Sequence, residues 1–319
     1  MRLNPTTQPW RTKDLLMFDV ISLTLVKASP LLLAAFGGLI SELGGVINFG
    51  LEGMMLSGAF AAVLGDWATG SPWVGLFCGI GAGAFAGSIH AAACLNFRAN
   101  QIVSAIAVNL LASGLTGFLL NQVFHVYGTS PGVEPLPDLV RFFPENFPPS
   151  ILRALEGSSM LVPVSLFIVV ALIAFIKWTV PGLRLRACGE NPEGAAAAGI
   201  MVKRMQFFAV CAGGALAGMG GAFLSIGELS QFVENMTQGR GYLAVAAVIL
   251  GRWRPLGVLL AVLFFGFSEA FSEWLAVRWS ALPNQIFLVL PYVACFSILG
   301  FYLGKRKPPS ALGNIDKTL

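Results

Sequence analysis

Residues 161–178, LVPVSLFIVVALIAFIKW, form an apolar run interrupted only by Ser165 and by a lysine next to its end. A bilayer core is crossed by about 20 mainly apolar residues, and in lipid the backbone must satisfy its own polar groups. Comparable runs recur at roughly 20–41, 46–65, 73–95, 101–124, 207–227, 256–276 and 285–304, with a short one at 241–251. They are continuous rather than alternating at period two, which excludes a membrane barrel. The sequence therefore predicts an all-α, polytopic transmembrane helical bundle of about eight or nine spans. The chain is 56% hydrophobic and 11% charged, against about 25% charged in a soluble domain.

A net charge of +4 is too small and too scattered to suggest nucleic acid. What matters in a membrane chain is where the cations fall, because cytoplasmic loops are enriched in Lys and Arg. Arg98, Arg184, Arg186, Lys203, Arg204, Arg252, Arg254 and the cluster Lys305, Arg306, Lys307 all lie on one side if the spans alternate. That topology puts the loop 125–159 outside and the loop 182–206 in the cytoplasm. It also puts Arg2, Arg11 and Lys13 outside, so either the stretch 14–26 forms an extra element or the span count shifts by one. The expected organisation is an N-terminal tail (1–19), a transmembrane domain (20–304) and a C-terminal tail (305–319), with no cleavable signal peptide.

The five cysteines have no metal-ligand or disulfide spacing, and four of them sit inside apolar runs. Gly79, Gly83 and Gly87 recur every fourth residue, as do Gly214 and Gly218. Such rows let helices pack closely in lipid. GLEGMMLSGAFAAVLGD (50–66) and GRGYLAVAAVILGRWRP (239–255) share a glycine-rich entry, an Ala/Val middle and a polar exit. On the topology above they run in opposite directions, the mark of an inverted repeat with a substrate path near the midplane.

One cytoplasmic stretch, RACGENPEGAAAAGI (186–200), reads as a short capped helix. Asn191 is a good N-cap, Pro192 suits the first helical position, and Glu193 places negative charge at the positive end. Ala195, Ala196, Ala197 and Ala198 favour helix, and Gly199 supplies the stop. Two turns are far fewer than the ~12–15 residues an isolated helix needs, so something must hold it. Either a groove on another protein does so, or the loop packs on its own chain.

GLRLRACGENPEGAAAAGI (182–200) resembles the cytoplasmic coupling loop of bacterial ABC-import permeases of the ribose and branched-chain amino acid permease superfamily. SELGGVINFGLEGMMLSGAFAAV (41–63) and GRGYLAVAAVILGRWRPLG (239–257) resemble the nucleoside-uptake branch, the shorter of its two permease subunits. The resemblance covers roughly residues 30–303, and the N-terminal tail departs from it. It implies a multi-pass inner-membrane subunit, not an enzyme. Its expected partners are a second homologous permease, cytoplasmic ATP-binding subunits that consume the ATP, and an extracytoplasmic substrate-binding protein. Glu190, Asn191, Pro192, Glu193, Ala195, Ala196, Ala197 and Gly199 would then couple to the ATPase. No cofactor, metal site or catalytic residue is expected in this chain.

Candidate path residues are Asn48, Phe49, Glu52, Met55, Asn109 and Glu228, with Gln231 a lesser one. Asn48 and Glu52 are spaced i, i+4, one face of a helix, and an intramembrane carboxylate normally faces protein or an aqueous path. Asn48 could hydrogen-bond a base or sugar beside Phe49 or Met55, or Glu52 could serve structure alone. Glu228 and Gln231 are expected as solvated groups at a helix end near the outer mouth. The proline-rich loop 127–159 would dock the binding protein or lie as a lid. His90 reads as a hydrogen-bonded bundle residue and His125 as a loop-edge residue. GFYLGKRK (300–307) lacks the spacing and hydroxyl of a phosphate loop. Rival readings keep the motor but change the cargo to a sugar or branched-chain amino acid, or make the chain an H⁺-coupled secondary transporter.

Overall fold

A computed structural model describes residues 9–142, 159–278 and 308–314, with a few isolated positions between the last two stretches. Its helices are α1 (Pro9–Leu43), α2 (Leu51–Thr69), α3 (Pro72–Leu95), α4 (Gln101–Phe124), α5 (Leu161–Trp178), α6 (Val180–Glu190), α7 (Pro192–Ala197), α8 (Val202–Ala222), α9 (Arg240–Leu250) and α10 (Pro255–Arg278). A 3₁₀ turn spans Leu139–Phe142, and a π-helical turn, Phe223–Leu229, extends α8. Among the described residues the regular structure is helical, with only two isolated β-bridges. Six of these helical segments are long and apolar enough to cross a membrane. The span expected at 285–304 lies outside the described residues, as do Lys305, Arg306 and Lys307.

The stretch 14–26 is not a separate element: α1 runs unbroken for 35 residues. The span expected over 46–65 begins later, at Leu51. Gly45 adopts φ +96°, a left-handed turn that suits a residue without Cβ, and 46–50 then climbs irregularly to the start of α2.

Helix α8 is the axis of the bundle, packed against α1, α2 and α3. It does so backbone to backbone. A Cβ on Gly83 would strike the Gly214 carbonyl and stand 2.6 Å from the Gly218 Cα. One on Gly58 of α2 would strike Gly218 from the other side. Close approach of this kind maximises van der Waals contact where lipid offers no hydrophobic drive. Phe36, Leu32 and Leu39 of α1, Met54 and Met55 of α2, and Phe223 and Phe265 fill the remaining core, each almost fully buried.

Polar contacts gather the basic loops at one end. Gln206 of α8 donates to the Gly44 carbonyl at 2.9 Å, and the Trp253 indole donates to Glu42. At the other end, the segment after α4 runs back along the exit of α8. Ser130 N–H donates to Phe232 O at 2.9 Å, Val133 N–H to Ser230 O at 2.9 Å, and Leu136 N–H to Ile226 O at 3.0 Å.

Candidate translocation path and coupling surface

Helix α9 has only 11 residues, about 16 Å at 1.5 Å per residue. It ends at the basic turn Arg252–Arg254; with that turn at a membrane surface, its start stands near the middle of a ~30 Å hydrocarbon core. Its first turn meets the first turn of α2, and Glu52 joins them. Glu52 Oε1 accepts the Thr237 hydroxyl at 2.6 Å and the Gly239 N–H at 2.8 Å, while Oε2 accepts the Gly241 N–H at 2.7 Å. A carboxylate carried on the first turn of α2 thus takes the unsatisfied N–H groups at the positive end of α9. Gly241 has no room for a side chain: a Cβ there would strike the Glu52 backbone.

Asn109, on α4, holds the same junction from the side. Its Oδ1 accepts the Gly53 N–H at 2.8 Å. Its Nδ2 donates to Phe49 O at 3.0 Å and to the Tyr242 hydroxyl at 3.1 Å. Asn48 does not share a helical face with Glu52, because it precedes α2 in the irregular rise. It is fully buried, donates to Ser41 Oγ at 3.2 Å and accepts the Gly50 N–H at 3.2 Å. Met55 is likewise fully buried, and Phe49 is half-buried. His90 sits within hydrogen-bond range of Ser104 Oγ and Ile47 O, each at 3.0 Å.

Glu228 is not a solvated helix end. In the π-helical turn it pairs with Lys27 of α1 at 2.7 Å, and Lys27 also reaches Glu273 of α10 at 2.9 Å. Arg240, the first residue of α9, pairs with Glu269 one turn before Glu273. Three carboxylates and Lys27 thereby cluster in helices long enough to cross a membrane, with Arg240 at the start of the short α9 beside them; such groups pair or face an aqueous cavity. Gln231, one turn beyond Glu228, is partly buried.

At the end of the bundle that carries the basic loops, the short helix α7 is capped at both ends. Asn191 Oδ1 accepts the Gly194 N–H at 2.9 Å. Gly199, at φ +81°, donates to Ala196 O at 2.9 Å, and Ile200 N–H donates to Ala195 O at 3.0 Å, a Schellman closure. One side of α7 is held by its own chain: Pro192 and Ala195 are buried, and Ala195 packs with Cys188 and Val202, with Ala196 against the rim. Burial pushes the Cys188 thiol above its ordinary pKa. Glu193, Gly194, Ala197 and Ala198 face outward. The C-terminal segment lies beside this loop. Ser310 Oγ donates to Glu190 Oε2 at 3.1 Å, Ala311 N–H to Gly189 O at 2.9 Å, and Gly313 N–H to Gly45 O at 3.3 Å.

The family model described as "Branched-chain amino acid transport system / permease component" matches residues 20–299. The chain belongs to that permease family. The permease is 35% identical over 319 residues to the guanosine ABC transporter permease NupQ of Bacillus subtilis, covering 92% of this chain and 95% of that one. It is 34% identical over 304 residues to the nucleoside ABC transporter permease NupC of Lactococcus lactis, with the same two coverages. Its fold matches that of a solved structure described as "an inward-facing conformation of a putative metal-chelate type ABC transporter", with TM-score 0.50 at 14% identity, over 94% of this chain and 92% of that one. It is accordingly a multi-pass membrane protein.

Of the residues singled out in the sequence, Phe49, Glu52 and Asn109 meet at the α2–α9 junction of the permease. Asn48 and Met55 stand behind it, and Glu228 lies in the ion-pair cluster. Tyr242, Thr237, Asn235, Lys27, Arg240, Glu269 and Glu273 were not signalled. Lys27, Arg240, Glu269 and Glu273 could have been, as charges within apolar runs.

Proposed function

We propose that the chain is the membrane subunit that forms the translocation path of an ATP-binding-cassette importer for nucleosides. The observation carrying this is the end-to-end match to two permeases whose names give guanosine and nucleosides as cargo. In this reading a second homologous permease completes the path, an extracytoplasmic binding protein delivers the nucleoside, and separate cytoplasmic subunits hydrolyse ATP. The chain itself uses no cofactor.

The outward face of α7 supports the coupling role: Glu193, Gly194, Ala197 and Ala198 present a small-residue surface that an ATPase groove could grip, with Glu190, Asn191, Pro192, Ala195, Ala196 and Gly199 shaping and anchoring it. The eight-or-nine-span count with an inverted repeat belongs to this proposal too. The opposed directions of α2 and α9 from one midplane junction support it. The transmembrane domain over 20–304 and its flanking tails go with it. Docking of the binding protein falls to the loop 125–159, of which 143–158 lies outside the described residues.

The test is uptake into proteoliposomes holding this permease, its partner permease, the ATPase subunits and the binding protein. Guanosine should accumulate only with ATP, glucose and leucine should not, and a protonophore should leave uptake intact. Uptake without the ATPase subunits, abolished by the protonophore, would replace the importer with a proton-coupled transporter.

A further inference from the structure

The chain between the π-helical turn and α9 descends from the outer end of the bundle to the midplane without regular structure. Val233 still bridges the outer segment at Thr129, whereas Gly239 and Gly241 already bind Glu52 at the α2–α9 junction. Non-helical backbone at membrane depth is tolerated where protein buries it or where it lines water. Here Glu234, Asn235, Gln238 and Tyr242 are all exposed, Tyr242 by 51%. Ser230, Asn235 and Gln238 hold φ values of +54°, +55° and +46°. Such left-handed conformations are uncommon for non-glycine residues and gather at functional sites.

The descent tracks one face of α4 in steps of four residues. Glu234 lies beside Gly117, its Oε1 3.1 Å from where a Cβ there would stand. The Ser113 hydroxyl donates to Asn235 Oδ1 at 2.8 Å, and Asn109 donates to the Tyr242 hydroxyl at 3.1 Å. The open strip from Asn235 to Tyr242 offers amides, a hydroxyl and one aromatic face. Its lone cation, Arg240, is tied to Glu269. A zwitterionic solute would ask for exposed charges of both signs there. A neutral solute with a flat ring and several hydroxyls asks for a stacking face and amide partners.

We infer that Tyr242 is the stacking platform for the nucleobase midway through the membrane, with Asn235 and Gln238 as hydrogen-bonding partners for the nucleoside above it. This rests on the reading of the chain as a nucleoside permease and adds to it the residues that recognise the cargo in transit. The bond from Asn109 fixes the ring at its hydroxyl end while leaving a face open. Asn109 is in turn fixed by Gly53 and Phe49, so the platform is pre-set by the junction that Glu52 closes.

The test uses the complete transporter in proteoliposomes with guanosine as probe. Tyr242→Ala should lower guanosine uptake about tenfold or more, the effect of losing a base–aromatic stack. Tyr242→Phe, which keeps the ring and loses the Asn109 bond, should recover uptake to within about threefold of wild type. In the unmodified transporter, 8-azidoguanosine should photolabel the peptide containing residues 235–242. Equal impairment in the Phe and Ala variants would overturn the stacking role, as would normal uptake by Tyr242→Ala or labelling confined to other peptides. Loss of the second permease on co-purification of Tyr242→Ala would make this strip a subunit interface and also overturn it. A wild-type transporter that moves glucose but not guanosine would fail before any variant is compared, and would overturn the cargo reading itself.

Discussion

The carboxylate of Glu52 and the backbone N–H of Gly241 lie 2.7 Å apart, tying the first turn of α2 to the first turn of α9. Because Oε1 also takes Thr237 and Gly239, both oxygens act as acceptors. A Gln in this place turns one acceptor into a donor facing a donor. Hydrogen bonds to a charged group are worth about 1.5–3 kcal/mol each. Glu52→Gln is therefore expected to destabilise the junction by about 2 kcal/mol and to slow uptake, read as a lower melting temperature of the purified permease and a lower initial rate. Thr237→Val removes one bond and leaves the carboxylate intact, so its loss should be about half as large.

Lys27 is the shared cation of Glu228 and Glu273. Lys27→Met leaves two carboxylates in the spans without that partner. Removing one member of a buried pair costs about 3–5 kcal/mol, and less here because the Glu273 side chain is 45% exposed. The expected outcome is a marked drop in the amount of folded permease in membranes, measured by fluorescence-detected gel filtration. Adding Glu228→Gln to Lys27→Met should restore part of it, because the second change removes one of the stranded charges.

Gly81 and Gly83 are two residues apart on α3 and should respond oppositely to alanine. Nothing lies within 4 Å of a Cβ at Gly81, so Gly81→Ala is expected to be neutral or slightly stabilising. At Gly83 the added methyl meets α8 backbone, which has no rotamer to yield. Overpacking of this kind costs about 1–3 kcal/mol or more. Thermal melts of the two variants in detergent should separate by several degrees, with Gly83→Ala the lower.

On α7, Ala197 is exposed and Ala195 is buried against Cys188 and Val202. Ala197→Trp should leave insertion and melting unchanged while uncoupling ATP hydrolysis from uptake in the assembled transporter. Ala195→Trp should disturb the loop itself and lower the melting temperature of the permease alone. Asn191→Ala, which removes the bond to Gly194, should cost about 1 kcal/mol locally and weaken coupling without abolishing it. Normal coupling in Ala197→Trp would dismiss the outward face of α7 as the ATPase contact.

Features written in neighbouring residues were legible in the sequence. The apolar runs become helices because lipid leaves the backbone no other solution, and ENPEG becomes a capped turn because Asn191, Pro192 and Gly199 each act within a few residues. The glycine rows matched an actual backbone contact between α3 and α8. What could not be read depends on distance along the chain. Lys27 and Glu228 are separated by 201 positions, and no local pattern pairs them. The i, i+4 reading of Asn48 and Glu52 failed because the turn at Gly44–Gly45 delays the helix to Leu51. For α7 the sequence left two supports open, its own chain or a partner, and the structure shows the first on one side, where Ala195 packs with Cys188 and Val202.

The glycine contacts have a mechanical corollary. Helices α2, α3 and α8 touch main chain to main chain at Gly58, Gly83, Gly214 and Gly218, with no side chains between them to swap rotamers. Sliding one past another would drive carbonyls into Cα atoms, so the trio must tilt as a single plank. Motion of that trio against its neighbours would have to be taken up in the irregular connections that leave it, 44–50 and 230–239 among them.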